Sequence, residues 1–229
     1  MTTAADQAPT PAVGRQNAGE SSQQSGGELI RHYIDHAEAY ATGTRNVPMT
    51  ALCECFLAHV AKPGWVLDAG CGSGRDALAF LQAGHHVVAF DASPEMARLA
   101  SQHTGLDVRV LDFLSLAGTA QMGLPHSTLF DGIWACASLL HVAEADQPEA
   151  WTRLWRLLAP GGVAYASYKL GEGERVDALG RPFTDATEHR LAGWTAHLPG
   201  VTHLRTWVST DQRPGESQAW LNALVQRES

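Results

Sequence analysis

The chain has 229 residues, of which 45% are apolar and 17% charged, enough for a sizeable core and too little charge for a wholly disordered chain. A balance of 16 Lys plus Arg against 24 Asp plus Glu gives a formal charge of -8, which disfavours long-range attraction to nucleic-acid phosphates or an anionic membrane. No apolar run approaches the roughly 20 residues that span a bilayer, and the opening stretch Met1–Glu20 lacks the basic and apolar regions of a secretory leader, so a cytoplasmic protein is expected.

In chain order, residues 1–26 are rich in Ala, Ser, Gln, Gly, Thr and Pro, a composition that reads as a disordered tail because it cannot offset its ordering entropy by burial. Residues 27–229 read as one unit without internal repeats. Leu29, Ile30, Tyr33, Ile34, Ala37 and Tyr40 recur at three- and four-residue spacing and predict a helix over 28–41; a second follows over 49–61, the two forming an N-terminal helical cap. The pattern then alternates. A strand at 65–68 runs into Ala69-Gly70-Cys71-Gly72-Ser73-Gly74 and a helix from Arg75 that stops before Gly84. A strand over 86–90 precedes Ser93-Pro94-Glu95, a capping residue followed by Pro at the first helical position. Further strands are predicted over 108–111, 130–136 and 163–168, with a helix over 147–158 that Ala159-Pro160-Gly161-Gly162 closes. Such alternation implies an α/β Rossmann-like, doubly wound sheet whose ligands bind beyond the carboxyl ends of the strands. Two strands at 202–209 and 218–227, joined by a turn around Arg213-Pro214-Gly215, complete a seven-stranded sheet, mostly parallel with one antiparallel edge strand.

The chemistry centres on Val66-Leu67-Asp68-Ala69-Gly70-Cys71-Gly72-Ser73-Gly74-Arg75-Asp76. A dinucleotide-binding G-x-G-x-x-G turn that starts at Gly70 needs its third glycine where Arg75 stands, so a nicotinamide dehydrogenase is disfavoured. The spacing G-x-G-x-G with Asp68 ahead of it fits a ligand that has an ammonium group beside Asp68 and a carboxylate near the helix start; S-adenosylmethionine has both. Asp91 ends the second strand, where a carboxylate can accept both hydroxyl protons of a ribose. Asp112 and Phe113 end the third, offering an acceptor for an adenine amino group and an apolar face for its ring.

On these residues the sequence resembles the class I S-adenosylmethionine-dependent methyltransferases over about residues 30–227, through VLDAGCGSGRDA, VVAFDASPEM, FDGIWACASLLHV and LLAPGG. It is most similar to small bacterial methyltransferases related to the tellurite-resistance group, where a Gly-Arg pair also follows the glycine turn. The resemblance implies that Asp68, Gly70, Gly72 and Gly74 surround the methionine part of the cofactor and that Asp91 holds its ribose. It further implies that Ala92 and Met96 lie against the adenine, that Asp112 and Phe113 flank its amino edge, and that Cys136 contacts it after the fourth strand. Ordinary core packing explains Met96 as well.

His141, just past the fourth strand, is the candidate general base, with a structural role in the loop equally compatible with its position. Tyr33, Tyr40 and Arg45 of the N-terminal helices are candidates for closing over the cofactor, the guanidinium as a clamp on its carboxylate, with core packing an equal explanation of the tyrosines. Arg75 is a second candidate for that carboxylate, or a partner for Asp76. Tyr168, Lys169 and the charged, glycine-rich segment 171–175 read as a cover over the acceptor or, equally, as a solvated connection. Cys53, Cys55, Cys71 and Cys136 form no C-x-x-C pair; they read as free thiols, and no metal site is assigned. Ala135-Cys136-Ala137-Ser138 replaces the Asn/Asp-Pro-Pro-Tyr/Phe motif of base-amino methyltransferases. The expected partner is therefore a small-molecule acceptor methylated on O, N, S or a chalcogen, with neither nucleic acid nor membrane, by a monomer or homodimer. The alternatives are a protein or RNA methyltransferase, or a noncatalytic S-adenosylmethionine-binding subunit.

Overall fold

The computed structural model describes residues 36–213 and 215–229. The tail expected over 1–26 and Tyr33 therefore lie outside the described residues. Helix α1 is described over 36–45, past the expected end at 41, and is followed by α2 (Thr50–Leu57). Then come β1 (Trp65–Ala69), α3 (Arg75–Gln82), β2 (His86–Asp91), α4 (Pro94–Thr104), β3 (Arg109–Val110), β4 (Phe130–Ala135), α5 (Gln147–Leu157) and β5 (Leu158–Lys169). The C-terminal third holds β6 (Glu174–Val176), β7 (Pro182–Thr184), α6 (Glu188–Thr195), β8 (Val201–Thr210) and β9 (Ala219–Arg227).

Seven strands form one sheet in the order β3-β2-β1-β4-β5-β9-β8. The first five run parallel, and the antiparallel part lies at one side, where β9 pairs antiparallel with both β5 and β8. Reversal there lets β8 and β9 connect as a hairpin without a crossover helix. The reversed strand is the last in the chain and sits one place in from the β8 edge.

Period-two alternation sorts the side chains onto two cores. Leu67, Ala69, Ile133 and Ala135 pack with Trp151, Leu154 and Trp155 of α5 and with Leu191 and Trp194 of α6. Val66 and Trp134 face the other way, against Phe56 of α2, Phe80 of α3, and Ala97 and Ala100 of α4. Asp68 follows Val66 in the same alternation, which sends its carboxylate toward α3 and the glycine turn.

The closing turn expected at Ala159-Pro160-Gly161-Gly162 lies inside β5, as an irregularity in the strand. Phe130 pairs with Leu158 and Gly132 with Val163, so four residues of β5 bulge out opposite one of β4. Gly161, at φ 76°, donates its N–H to Glu228 O at 2.9 Å and carries the bulge. The loop expected after β5 contains the small β6–β7 hairpin, and α6, not anticipated, follows it. Among the described residues no helix is long and apolar enough to cross a membrane.

Candidate functional site

A cavity of about 330 Å³ opens at the carboxyl ends of the parallel strands. The end of β1 and the turn after it form one wall through Asp68, Gly70, Cys71, Gly72 and Ser73; α1, α2 and the segment between them supply Tyr40, Thr44, Val47, Pro48, Met49 and Leu52. The far wall comes from the ends of β4, β5, β8 and β9 and from the β6–β7 hairpin.

The glycines of the turn do different work. Gly70 has φ 75°, and a Cβ there would stand 2.5 Å from Ser138 Cβ, so this position is closed both to the backbone and to the space. Gly72 has φ 55° but open space, with nothing nearer to a Cβ than Tyr40 Cε1 at 3.8 Å. Gly74 does not line the cavity: it begins α3 and packs against α4, where a Cβ would meet Thr104 Cγ2 at 2.8 Å. Its role is to seat α3 on α4.

Asp91 holds the turn in shape. Gly72 donates its backbone N–H to Asp91 Oδ2 at 2.8 Å and Ser93 donates to Oδ1 at 2.9 Å. Burial pushes this carboxyl above its ordinary value, and the backbone N–H groups of Ser93, Gly72 and Ala92 oppose the shift. Each oxygen keeps capacity for a further donor.

Asp68 is 2% exposed, and its Oδ2 has no hydrogen-bond partner. Burial and the neighbouring charge of Asp76 hold its carboxyl well above the usual range. A buried carboxylate oxygen without a donor is costly unless a ligand supplies one. Its position beside the glycine turn suits an ammonium group, so the residues present fit the cofactor that the sequence leads one to expect.

Arg75 lines the cavity, yet Asp76 already grips it: Nε donates to Oδ1 at 2.6 Å and Nη2 to Oδ2 at 2.8 Å, while Nη1 reaches Thr44 O at 3.3 Å. Asp76 is buried, not a surface acid, and also accepts the indole N–H of Trp134 at 2.9 Å. Trp134 stacks on Tyr165 at 3.9 Å and packs edge-on against Phe80. The Arg75–Asp76–Trp134 unit thus welds the first turn of α3 to β4, a role that the linear pattern did not disclose.

The expected adenosine side lies beyond this cavity. Ala92 is half-buried at the end of β2, and Met96, 1% exposed, packs among Ala37, Ala41, Leu99 and Tyr40 as core. Phe113 is buried edge-on to Phe90, with Cζ 3.6 Å from where a Gly70 Cβ would be. The Asp112 carboxylate is exposed and closes its own turn, accepting from Leu114 N at 2.8 Å and Ser115 N at 2.9 Å. Arg45 does not line the cavity; its charge is felt by His103 at the end of α4, and its Nε is buried without a partner.

Cys136 and His141 do line it. Burial and the Asp76 charge push the Cys136 thiol up to about 12, so it is a neutral packing group that accepts from Ser167 Oγ at 3.7 Å. His141 ends a short 3-10 turn, Leu139–His141. Its Nδ1 lies 2.8 Å from Pro182 O, and since a carbonyl only accepts, the proton sits on Nδ1 and Nε2 is the basic nitrogen. Burial lowers its pKa to about 4. At neutral pH it is therefore an uncharged imidazole that accepts hydrogen bonds well and is a weak base.

Tyr168 is fully buried, donating to Gln147 Oε1 at 2.9 Å and accepting from Trp151 Nε1 at 3.1 Å, and so covers nothing. Lys169, next in the strand, turns into the cavity, with Nζ 3.7 Å over the ring of Phe183. Arg181, Phe183, Asp211, Arg213, Trp220 and Asn222 complete the wall; none was singled out from sequence as a cavity residue. The register Lys169↔Trp220 between β5 and β9 is what brings the C-terminal strands to the site.

Residues 66–162 match the family described as Methyltransferase domain. The ubiquinone biosynthesis O-methyltransferase of Xanthomonas campestris pv. campestris (strain B100) is 33% identical over 169 residues, which are 72% of this chain and 63% of that protein. The chain thus spans less than two thirds of the length of that relative. A 1,6-didemethyltoxoflavin-N1-methyltransferase of Burkholderia thailandensis, solved with 1,6-didemethyltoxoflavin and S-adenosylhomocysteine bound, is 24% identical with TM-score 0.68, covering 98% of this chain and 94% of that one. A TehB-like methyltransferase from Corynebacterium glutamicum is 20% identical with TM-score 0.59, covering 85% of this chain and 100% of its own. At these identities the two structures establish the shared fold.

Proposed function

We propose that this chain, whose residues 66–162 are a methyltransferase domain, is an S-adenosylmethionine-dependent methyltransferase that acts on a small-molecule acceptor. The observation that carries the reading is the unpartnered Oδ2 of Asp68, buried at the wall of a cavity that the glycine turn borders. Bound there, S-adenosylmethionine supplies an electrophilic methyl group on a sulfonium centre with a neutral leaving group. Asp68 accepts the ammonium of its methionine part, and Gly70 and Gly72 let the backbone approach it. Asp91, besides holding Gly72 and Ser93, accepts from the ribose; Ala92, Asp112 and Phe113 border the adenine, while Met96 stays in the core. Arg75, braced by Asp76, faces the carboxylate.

On the acceptor side, the residues orient and exclude water more than they activate. His141 holds its proton on Nδ1 and offers Nε2 as a hydrogen-bond acceptor, which positions a nucleophile whose own lone pair does the attacking. The cavity volume of about 330 Å³ and its closure by α1, α2 and the β6–β7 hairpin favour a small acceptor over a polymer. The test is incubation with S-adenosylmethionine and small-molecule or macromolecular fractions of a bacterial extract. A low-mass product heavier by one methylene, formed with stoichiometric S-adenosylhomocysteine, is expected. Methylation confined to RNA or protein would overturn the small-acceptor reading.

A further inference from the structure

The charges that line the cavity are Asp68, Asp76 and Asp211 against Arg75, Lys169, Arg181 and Arg213. Most are already paired. Arg75 is bound by Asp76, Arg213 by Asp211 at 2.6 Å, and Arg181 by Asp177 at 2.7 Å. Arg175, behind Phe183, is bound by Asp185 at 2.7 Å. Among the described cavity-lining residues, this leaves one carboxylate and one ammonium without an ionic partner within 4.0 Å, Asp68 and Lys169. They stand two strands apart, with Lys169 four residues beyond the Tyr165 that is level with Asp68, about 16 Å across the sheet. Asp68 belongs to the cofactor half. Lys169 therefore belongs to the acceptor half.

We propose that the methyl acceptor carries an anionic group, a carboxylate, phenolate or phosphoryl oxyanion, that binds the Lys169 ammonium at the mouth formed by Phe183, Arg181 and Trp220. The inference rests on the methyltransferase reading above and names the substrate class of the same site. The environment of Lys169 is cationic: Arg175 and Arg181 outweigh Asp177 and Asp185, and together with burial they lower its pKa. An ammonium held 3.7 Å over a ring face, with cations on either side, gains most from an anion that the solvent cannot supply at equal strength. The Lys169 contact to Phe183, at 3.7 Å, ties the β6–β7 hairpin to β5 at this end of the cavity, and the Arg175 and Arg181 contacts to the same ring, at 5.1 and 5.3 Å, lie within the hairpin. An acceptor anion would add to that tie. His141 lies on the same wall, and its weak basicity suits an acceptor that arrives already deprotonated.

The test is calorimetric binding, with and without S-adenosylhomocysteine, of hydroxybenzoates, of the corresponding hydroxybenzamides and of phenyl phosphate. At least one anionic probe is expected to bind and the neutral amides to bind at least about tenfold more weakly, the fold-change that a hydrogen bond to a charged group carries. Which probe binds separates carboxylate from phosphoryl recognition. Lys169→Met should remove the preference and Lys169→Arg retain most of it, both with unchanged affinity for S-adenosylhomocysteine. Equal binding of acids and amides, no binding of any anionic probe, or an unaltered preference in Lys169→Met would overturn the proposal. Absence of S-adenosylhomocysteine binding would instead remove the cofactor reading, and the probes alone would still report on Lys169.

Discussion

The buried neutral imidazole of His141 makes a contribution to stability that acid removes. In the unfolded chain this histidine takes up a proton near 6.5, whereas burial holds the folded value at about 4. A depressed histidine contributes stability that is complete above the unfolded value and is lost as pH falls toward the folded one, because between them the unfolded state binds the extra proton. Each pH unit in that interval is worth about 1.4 kcal/mol, so the loss between pH 6.5 and 4 amounts to roughly 3 kcal/mol. The perturbation is His141→Gln, which keeps an N–H donor for Pro182 O and removes the titrating group. Urea unfolding of both proteins across pH 4 to 7 is the assay. The wild type should lose about 3 kcal/mol more than the variant over the window. Buried Asp68 and Asp91 titrate in the opposite sense, since raised carboxyls favour folding as they protonate, and their contributions cancel in the difference. Parallel stability curves for the two proteins would refute the burial argument, as would a direct NMR titration of the imidazole near its ordinary value.

Four further substitutions probe the turn and its brace. Asp68→Asn removes a buried carboxyl whose ionised form burial and Asp76 disfavour, so it should leave or raise the Tm while weakening S-adenosylhomocysteine by about 10- to 150-fold (about 1.5–3 kcal/mol); a lower Tm with intact binding would reverse the assignment. Asp76→Ala strands the Arg75 guanidinium and the Trp134 indole together and should cost about 3–5 kcal/mol in urea unfolding; a cost below about 1 kcal/mol would show that the unit is not a brace. Gly72→Ala meets only backbone strain, about 1–2 kcal/mol, whereas Gly70→Ala adds the clash with Ser138 and should fail to fold or lose far more. Equal Tm losses for the two variants would contradict the distinction.

The sheet was legible because its signals are local. Strands β1 and β2 are short apolar runs with a glycine or a capping residue close behind them, Gly70 and Ser93, and the apolar run of the last parallel strand is preceded by Gly161-Gly162. The small hairpin was not, since Glu174, Arg175 and Val176 are all exposed and three residues carry no alternation. Helix α6 did carry a signal, Thr187 as its cap and Leu191, Trp194 and Leu198 at helical spacing. The same contrast governs the site. Asp68, Gly70 and Gly72 sit in one contiguous motif, and the structure puts them on the cavity wall. Gly74, Met96 and Arg45 follow the linear pattern but face a helix seat, a core and the end of α4. The pairing of Asp76 with Trp134 spans 58 residues and that of Arg75 with Thr44 spans 31, distances over which no local spacing rule operates. The far wall depends on strand register between β5 and β9, a tertiary fact, which is why Lys169 was noticed only as part of a loop and Trp220 not at all.

Calorimetric titration with S-adenosylhomocysteine, alongside NAD, decides whether Asp68 and the glycine turn hold the proposed cofactor. One-to-one binding of S-adenosylhomocysteine, weakened by Asp68→Asn, and no binding of NAD are expected. No heat with S-adenosylhomocysteine, or binding indifferent to Asp68, would overturn that assignment.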